Sequence, residues 1–355
     1  MHALRRIAAL AFAGLALAPV ASAYNIGTAK WASSPKLLIY PSDVTDNAKE
    51  WAVLQSVATR LQQNSSTIGF SVGVDDADGV WTSNGENEIL YTDSATWLCG
   101  SDACCWTSAT TTQIVEADVF FNNVDMWETS YAKTDSWAYG GMKRPMAATA
   151  MHEFGHALGL GHVSNLYNIM GGDHTFLNTN GNTYSVRLGE DASSGLRALY
   201  GSTTGGYEDV TVSHFMYDSF SGEYSTHKRV PVYDSSGGVA ANAGTALEPV
   251  YKLTKGGRFY FVATLENNGA KSQSPGLRVY LSTDSTITTA DTLLTSTSLT
   301  LTPDSPYAYV YTGTLSSSLT SGATYYLGVV LDPTNAIAEV DENNNAAYVS
   351  AIRIN

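Results

Sequence analysis

The sequence predicts an α+β domain followed by an all-β sandwich. Up to Gly201, segments with apolar residues at three- and four-residue spacing alternate with short strand-like runs. Residues 202–206 then form a Ser/Thr/Gly-rich stretch that resembles a linker. Beyond it, strand-like runs separated by Gly-, Asn- and Pro-containing turns dominate and helical periodicity nearly disappears, which is typical of a β-sandwich. The predicted domains therefore cover 24–201 and 207–355.

The first 23 residues are predicted to be a signal peptide. Arg5 and Arg6 precede an apolar run, Ile7–Val20, and the small residues Ala21–Ala23 follow as a cleavage site. The run is short for a membrane span, although an uncleaved anchor is the alternative. We therefore expect a secreted, extracellular protein without a membrane span, whose mature chain begins near Tyr24.

Composition and charge narrow the class of function. With 44% hydrophobic and 15% charged residues, the chain has a globular composition. Without Arg5 and Arg6, 17 basic and 33 acidic residues remain, a net charge of −16. Such a chain repels phosphate backbones, so we expect no nucleic-acid partner.

Periodicity assigns the main elements of both domains. Apolar spacing predicts three helices, with Asp43 or Thr45 as the cap of the first: Val44–Gln63, Pro145–Leu158 and Glu190–Leu199. Seven runs read as strands: Ile68–Val74, Glu88–Tyr91, Ile114–Phe121, Phe259–Leu265, Leu277–Leu281, Tyr307–Tyr311 and Tyr325–Leu331.

A metal-binding motif lies on the second predicted helix, in the sequence HEFGHALGLGH. His152 and His156 are four residues apart, so both imidazoles project from one helix face toward a single ion. Gly159 lets the chain leave the helix, and His162 can then return as a third ligand. Three His ligands with an open fourth position indicate a catalytic Zn²⁺, and Glu153 is placed to act as general base toward a water molecule.

These residues resemble the metzincin metallopeptidases, and the matrixin branch in particular. Met170 follows His162 by eight residues, as the methionine of the Met-turn does in matrixins, and 116–119 (EADV) and 188–191 (LGED) are similar to that branch. The resemblance covers about 29–201. It implies a twisted mixed sheet with three helices, zinc-dependent cleavage of protein or peptide substrates, and Met170 as a packed floor beneath the metal. It also implies that specificity depends on the loop 171–187.

Two features depart from the matrixin pattern. Gly172 stands where matrixins usually have proline, and no propeptide with a zinc-blocking cysteine precedes the domain. Latency by that route is therefore not expected.

The C-terminal part resembles CARDB modules, which are immunoglobulin-like sandwiches of bacterial exported proteins. The similarity rests on 325–329 (YYLGV), 331–333 (LDP) and 337–344 (IAEVDENN), and it covers about 249–355. It implies an accessory role in localisation or substrate binding, with an extracellular-matrix or cell-surface component as a partner. An alternative is an adhesin or surface-binding protein whose protease domain has lost activity.

Other candidate residues carry weaker signals. Cys99 can pair with Cys104 or Cys105, whereas a bridge between the adjacent pair would be strained. Structural Ca²⁺ is common in the family that the motif resembles, and two polar segments could bind it or could simply be turns: Asp75, Asp76 and Asp78, and 341–345 (DENNN). Three further histidines are expected on loops or facing solvent: His174, His214 and His227.

Overall fold

The computed structural model describes residues 24–75, 83–124, 126–164, 168–172, 177–205, 207–213, 215–216 and 229–355. Several predictions concern residues outside these ranges: the signal peptide 1–23, Gly206 of the linker stretch, Asp76, Asp78, His174, His214 and His227.

The N-terminal half contains a five-stranded mixed sheet and several two-residue or three-residue strands. The sheet order is β3-β2-β4-β6-β5, in which only β5 runs antiparallel to its neighbour. Chain order gives the bounds: β1 Asn25–Ile26, β2 Lys36–Ile39, β3 Ser71–Val74, β4 Glu88–Thr92, β5 Ala103–Ala109, β6 Ile114–Asn122, β7 Trp127–Glu128, β8 Arg144–Pro145, β9 Leu160–Gly161, β10 Asn178–Asn180 and β11 Thr183–Ser185.

Four α-helices lie among the described residues: α1 Pro41–Asp46, α2 Ala48–Gln62, α3 Met146–Ala157 and α4 Gly189–Tyr200. A short 3₁₀ helix covers Trp137–Tyr139. The mixed α/β composition agrees with the predicted class, and the helix that carries the metal motif lies within one residue of its predicted bounds at each end. Gly159 ends it at a φ of +92°, a conformation that glycine adopts without strain.

The prediction of the first helix was wrong at its N-terminal end. Residues 44–63 form two helices rather than one, because Asn47 leaves helical geometry with φ −123° and ψ 46°. Its side-chain amide donates to the carbonyl of Asp43 at 3.1 Å, which closes α1 locally. Neither predicted cap is used, since the Thr45 hydroxyl donates back to Pro41 O and α2 begins without a side-chain cap.

The C-terminal half is a two-layer β-sandwich, which we call the C-terminal sandwich. One sheet joins β12, β15 and β13, with β18 also paired to β15, and the other has the order β14-β20-β19-β16-β17. Their inward residues form one core that includes Phe261, Leu277 and Val349. The bounds are β12 Val210–Ser213, β13 Val232–Tyr233, β14 Val250–Leu253, β15 Arg258–Asn267, β16 Gly276–Ser282, β17 Thr292–Ser298, β18 Tyr307–Thr314, β19 Thr324–Leu331 and β20 Ala346–Ile354.

Polar contacts join the two halves. Glu190 of α4 is 1% exposed and accepts a hydrogen bond from Ser305 N at 2.7 Å. On the same helix, Arg197 forms an ion pair with Asp304 at 2.6 Å. These contacts place α4 directly against the sandwich. No helix of the described residues is long and apolar enough to cross a membrane.

Candidate metal centre

Helix α3 places two histidines and a glutamate at the bottom of a cleft. His152 is 1% exposed and Glu153 is 3% exposed, while His156 is partly accessible. After the Gly159 turn, the two residues of β9 pair antiparallel with β1 and carry the chain to His162, which is exposed. The helix, the glycine turn and the short strand together return His162 to the face that carries the other two imidazoles.

The three imidazoles converge on one point. Their Nε2 atoms lie 2.9 Å apart for His152 and His156, 3.1 Å for His152 and His162, and 3.0 Å for His156 and His162. Two of the rings are oriented through Nδ1, which lies 2.6 Å from Ile169 O in His152 and 2.7 Å from Leu160 O in His156. An Nδ1 that donates to a carbonyl leaves the Nε2 lone pair directed at the common centre.

This donor set fits a zinc ion. Two nitrogen ligands about 2.0–2.1 Å from a tetrahedral Zn²⁺ lie about 3.3 Å from each other, close to the observed spacings. Burial lowers the pKa of His156 to about 4, with a hydrogen bond to Leu160 opposing the shift and His162 adding to it. The ring is therefore neutral at physiological pH, which is the form that binds a metal.

Glu153 lies on the same helix as the first two histidines and is almost fully enclosed. Burial raises the pKa of its carboxyl to about 8, while a hydrogen bond from the Cys105 backbone and the positive charge of Arg144 act in the opposite direction. A carboxyl group with a pKa near the operating pH can both take up and release a proton.

Met170 and its neighbours form the floor of the site. Met170 is 2% exposed, and its backbone N–H donates to the Asn168 side chain at 2.8 Å. The Asn168 amide in turn donates to Asp191 Oδ2 at 2.9 Å. Asp191 also accepts from the backbone nitrogen of Tyr24 at 2.8 Å. The sequence motifs assign no role to Asn168 or Asp191, although Asp191 belongs to the LGED segment.

The cleft above the histidines has a volume of about 680 Å³. Strand β5, at one edge of the mixed sheet, contributes Cys105 and Thr107 to its lining, which also includes Asn25, Gly161 and Gly172. Cys99 and Cys104 form a disulfide with a Cα–Cα distance of 5.9 Å, which is one of the two pairings left open by the sequence, and Cys105 is a free thiol.

The predicted calcium segments show two different environments. Asp75, Glu86 and Glu88 have carboxylate oxygens within 4.8 Å of one another, whereas Asp76 and Asp78 fall outside the described residues. Between β19 and β20, Asn344 and Asn345 donate to carboxylates, Asn344 to Asp209 at 2.9 Å and Asn345 to Glu339 at 2.8 Å. The second segment thus makes structural contacts, and Ca²⁺ binding stays a prediction that the comparisons do not support.

Comparison with known proteins gives two family matches. Residues 62–201 match the family model described as Matrixin, and residues 246–349 match the CARDB model. The matrixin match indicates a zinc metallopeptidase domain, and CARDB is an accessory, immunoglobulin-like sandwich. No curated protein matches the chain significantly.

Similar solved structures are CARDB domains and a domain of a putative cell surface protein. A crystal structure of a Pyrococcus furiosus CARDB domain, described as a complex with di-metal ions, shares 16% identity and covers 43% of this chain and 93% of its own, with a TM-score of 0.27. The solution structure of that domain shares 16% identity and covers 36% of this chain and 94% of its own, with a TM-score of 0.24. A domain from Methanosarcina acetivorans shares 21% identity and covers 27% of this chain and 75% of its own, with a TM-score of 0.21. These scores add nothing to the assignment. The two family models that match, Matrixin over residues 62–201 and CARDB over residues 246–349, are thus the two families that the sequence motifs resemble.

Proposed function

We propose that this protein is a secreted zinc-dependent endopeptidase in which His152, His156 and His162 bind the metal and Glu153 is the general base. The observation that carries the proposal is the convergence of three Nε2 atoms within 3.1 Å, next to a buried carboxyl group on the same helix. A surface cluster of histidines would not need Nδ1 bonds to Ile169 O and Leu160 O, but a metal site does, because those bonds fix the ring orientation.

Glu153 performs the proton transfers of the proposed reaction. Zinc bound by the three histidines would polarise the scissile carbonyl and make a water molecule more acidic. Glu153 takes the proton of the attacking water and delivers it to the nitrogen of the departing amine. Burial favours the protonated form of this carboxyl, which makes it a competent proton donor in the second half of the reaction.

Peptide substrates fit the shape of the cleft. Among the described residues, strand β5 pairs only with β6 in its sheet, and five of its residues line the cleft. An extended peptide can add to such an edge as a further strand and place one of its carbonyls near the histidines. This arrangement supports hydrolysis within a peptide chain rather than at a terminus.

Export and the role of the sandwich complete the proposal. The signal-like pattern of residues 1–23 supports secretion, with cleavage before Tyr24. The CARDB domain is proposed to localise the enzyme at an extracellular-matrix or cell-surface component, or to bind substrate.

Zinc content and peptide cleavage test this function together. The purified mature chain is expected to contain one zinc per molecule and to cleave internal bonds in a broad peptide library, read by mass spectrometry. Replacing His156 with Ala should remove both properties. A folded, zinc-loaded chain that cleaves no peptide but binds a surface glycan would support the adhesin alternative.

A further inference from the structure

The segment 99–104, which we call the cystine loop, leads into strand β5 and is closed by the bridge between Cys99 and Cys104. Cys99 and Gly100 have positive φ values of +55° and +71°, so the chain turns sharply at the start of the loop. Left-handed backbone geometry is unfavourable for a residue with a Cβ, so Cys99 needs further contacts to hold it there. The covalent bond to Cys104 supplies one.

A small hydrophobic cluster fixes the residues before the cystine loop. Leu98 is 3% exposed and packs with Leu90 and Phe120. The Trp97 ring stacks on Phe120 with 5.2 Å between the ring centroids, and the Trp97 carbonyl accepts a hydrogen bond from Trp106 Nε1 at 3.0 Å. The loop therefore begins directly after a packed residue.

The other end of the loop is held by contacts that do not involve sulfur. Asp102 forms an ion pair with Arg144 of β8, the strand that directly precedes α3. Beyond it, β5 pairs with β6, and the backbone N–H of Cys105 donates to the Glu153 carboxylate. Because these contacts fix Asp102 and β5 independently, the disulfide chiefly constrains residues 99–101.

The cystine loop borders the cleft directly. Four of its residues belong to the lining of the cleft: Cys99, Ser101, Ala103 and Cys104. Cys99 and Ser101 are exposed, so a bound peptide can reach their side chains. The Cys105 contact with Glu153 places the reaction next to the middle of β5. A peptide strand on β5 advances about 3.3 Å per residue, so peptide residues that face Ser101 and Ala103 lie about two to four positions from the cleaved bond.

We propose that the cystine loop is a specificity-determining wall of the peptide cleft, with Ser101 facing the substrate and the Cys99–Cys104 bridge as the element that positions it. This inference rests on the proposed peptidase function. It predicts selection of substrate side chains about two to four residues from the cleaved bond, on one side of that bond only. It also makes cleavage-site preference depend on an oxidising environment, in which such a bridge persists.

Reduction of the full-length wild type with a trialkylphosphine tests the positioning role of the bridge. The phosphine breaks the S–S bond and takes up oxygen from water to become a phosphine oxide, while the two sulfurs leave as thiols. Thiols counted after unfolding should rise from the one of Cys105 to three. We expect KM to rise about tenfold and kcat to stay nearly constant, since a displaced binding wall misplaces the substrate.

Three further readouts accompany this reduction. The cleavage-site profile of a peptide library should broaden on one side of the cleaved bond only. Amide hydrogen exchange should become faster over 99–101 and stay unchanged over 103–109, and zinc content should not change. A chain that carries both Cys99→Ser and Cys104→Ser should behave like the reduced wild type, and the phosphine should not alter it further.

Ser101→Tyr, compared with Ser108→Tyr, tests the contact with substrate without any change in sulfur chemistry. Both serines are exposed, and Ser108 lies on β5 but is not among the residues that line the cleft. We expect Ser101→Tyr to change the library profile about two to four residues from the cleaved bond, on the same side that reduction affects. The profile of Ser108→Tyr should match that of the wild type.

The outcomes separate the two claims. An oxidised, zinc-loaded wild type that cleaves no peptide refutes the proposed function and this inference with it. An active wild type whose KM and profile are unchanged by loss of the bridge overturns the inference and leaves the peptidase assignment intact. A fall in kcat at constant KM also overturns it, because that result shows a smaller folded fraction. Equal profiles for the two tyrosine variants would overturn it as well.

Discussion

The Gly155 backbone lies directly against the Met170 side chain: a Cβ at Gly155 would lie 2.6 Å from Met170 Sδ. Gly155 occupies the turn of α3 between His152 and His156, so the helix and the Met170 side chain meet where an added Cβ would require Met170 to move. This contact connects the packing of the turn to the orientation of the imidazoles.

Replacing Gly155 with Ala is therefore expected to weaken zinc binding. The new methyl group displaces Met170 and the adjacent Ile169, whose carbonyl orients His152. Changes to groups that orient metal ligands typically cost about 10–100-fold in metal affinity, measurable by competition with a chelating dye. Alanine also stabilises a helix by about 1 kcal/mol relative to glycine. This gain would offset a loss of packing in the thermal midpoint, so zinc affinity is the quantity to measure.

Gly205→Ala is the matched control for that measurement. Its Cβ would meet no atom closer than 3.6 Å, and the residue lies away from the cleft. Equal zinc affinity in the Gly155 and Gly205 variants would show that Met170 does not support the metal ligands.

The sequence alone predicted the helix α3 with His152 and His156, because ligand spacing on a helix is a local property, and it predicted His162 beyond the glycine turn. It did not define β5, which forms one wall of the cleft. That strand reads ACCWTSA, with mostly exposed small and polar residues and no clear alternation, so its strand state depends on pairing with β6.

Contacts between segments that are distant in the chain could not be predicted from the sequence either. Asn180 lies 107 residues from Ile287, and its bonds go to backbone atoms that every residue possesses. No periodicity or motif marks such a pair. The break at Asn47 was missed for a related reason: the apolar spacing of the helix continues across it.

The raised pKa of Asp118 predicts that the stability of the fold depends on pH. Burial, followed by the negative charges of Glu116 and Glu88, raises the pKa of Asp118 from 3.8 to about 8. The folded state therefore holds an extra proton between these values, so this contribution to stability is present at acid pH and is lost as the pH rises through 8. Asn at this position keeps a neutral group that donates without titrating.

Asp118→Asn should match the wild type at pH 4 and exceed it at pH 8. We expect a gain in Tm of about 2–4 °C at the higher pH, the shift that about 1 kcal/mol gives in a domain of this size. The unfolding scans are run in calcium-free buffer, since a cation held by neighbouring carboxylates would lower the pKa. A difference in Tm that does not vary with pH would contradict this explanation.

We expect that the free thiol of Cys105 does not control peptide cleavage. Burial, with a smaller effect from Glu153, raises the pKa of the Cys105 thiol well above its usual value, so the metal-binding thiolate is disfavoured. Among the described residues, the potential ligand atoms that lie within 4.8 Å of one another at this site come from the three histidines, and Cys105 is not among them. Cys105→Ser should show wild-type cleavage rates, and a several-fold activation by this change would indicate a blocking cysteine.

The mature chain is predicted to start at Tyr24. Its backbone nitrogen is 2.8 Å from Asp191 Oδ1, and cleavage after Ala23 would convert that nitrogen into an ammonium group and strengthen the bond. N-terminal sequencing of protein recovered from the medium should give Tyr-Asn-Ile. A form that starts elsewhere, or that stays with the cells, would contradict the proposed export.

Zinc-dependent peptidase activity is tested most directly by casein cleavage with the purified mature protein, measured beside Glu153→Ala and beside a chelated sample to which zinc is returned. We expect activity in the wild type, a loss on chelation that zinc restores, and no measurable cleavage by Glu153→Ala although it still binds zinc. A Glu153→Ala variant that cleaves at the wild-type rate would contradict the role of Glu153 as general base, and a zinc-loaded wild type that cleaves nothing would contradict the peptidase function.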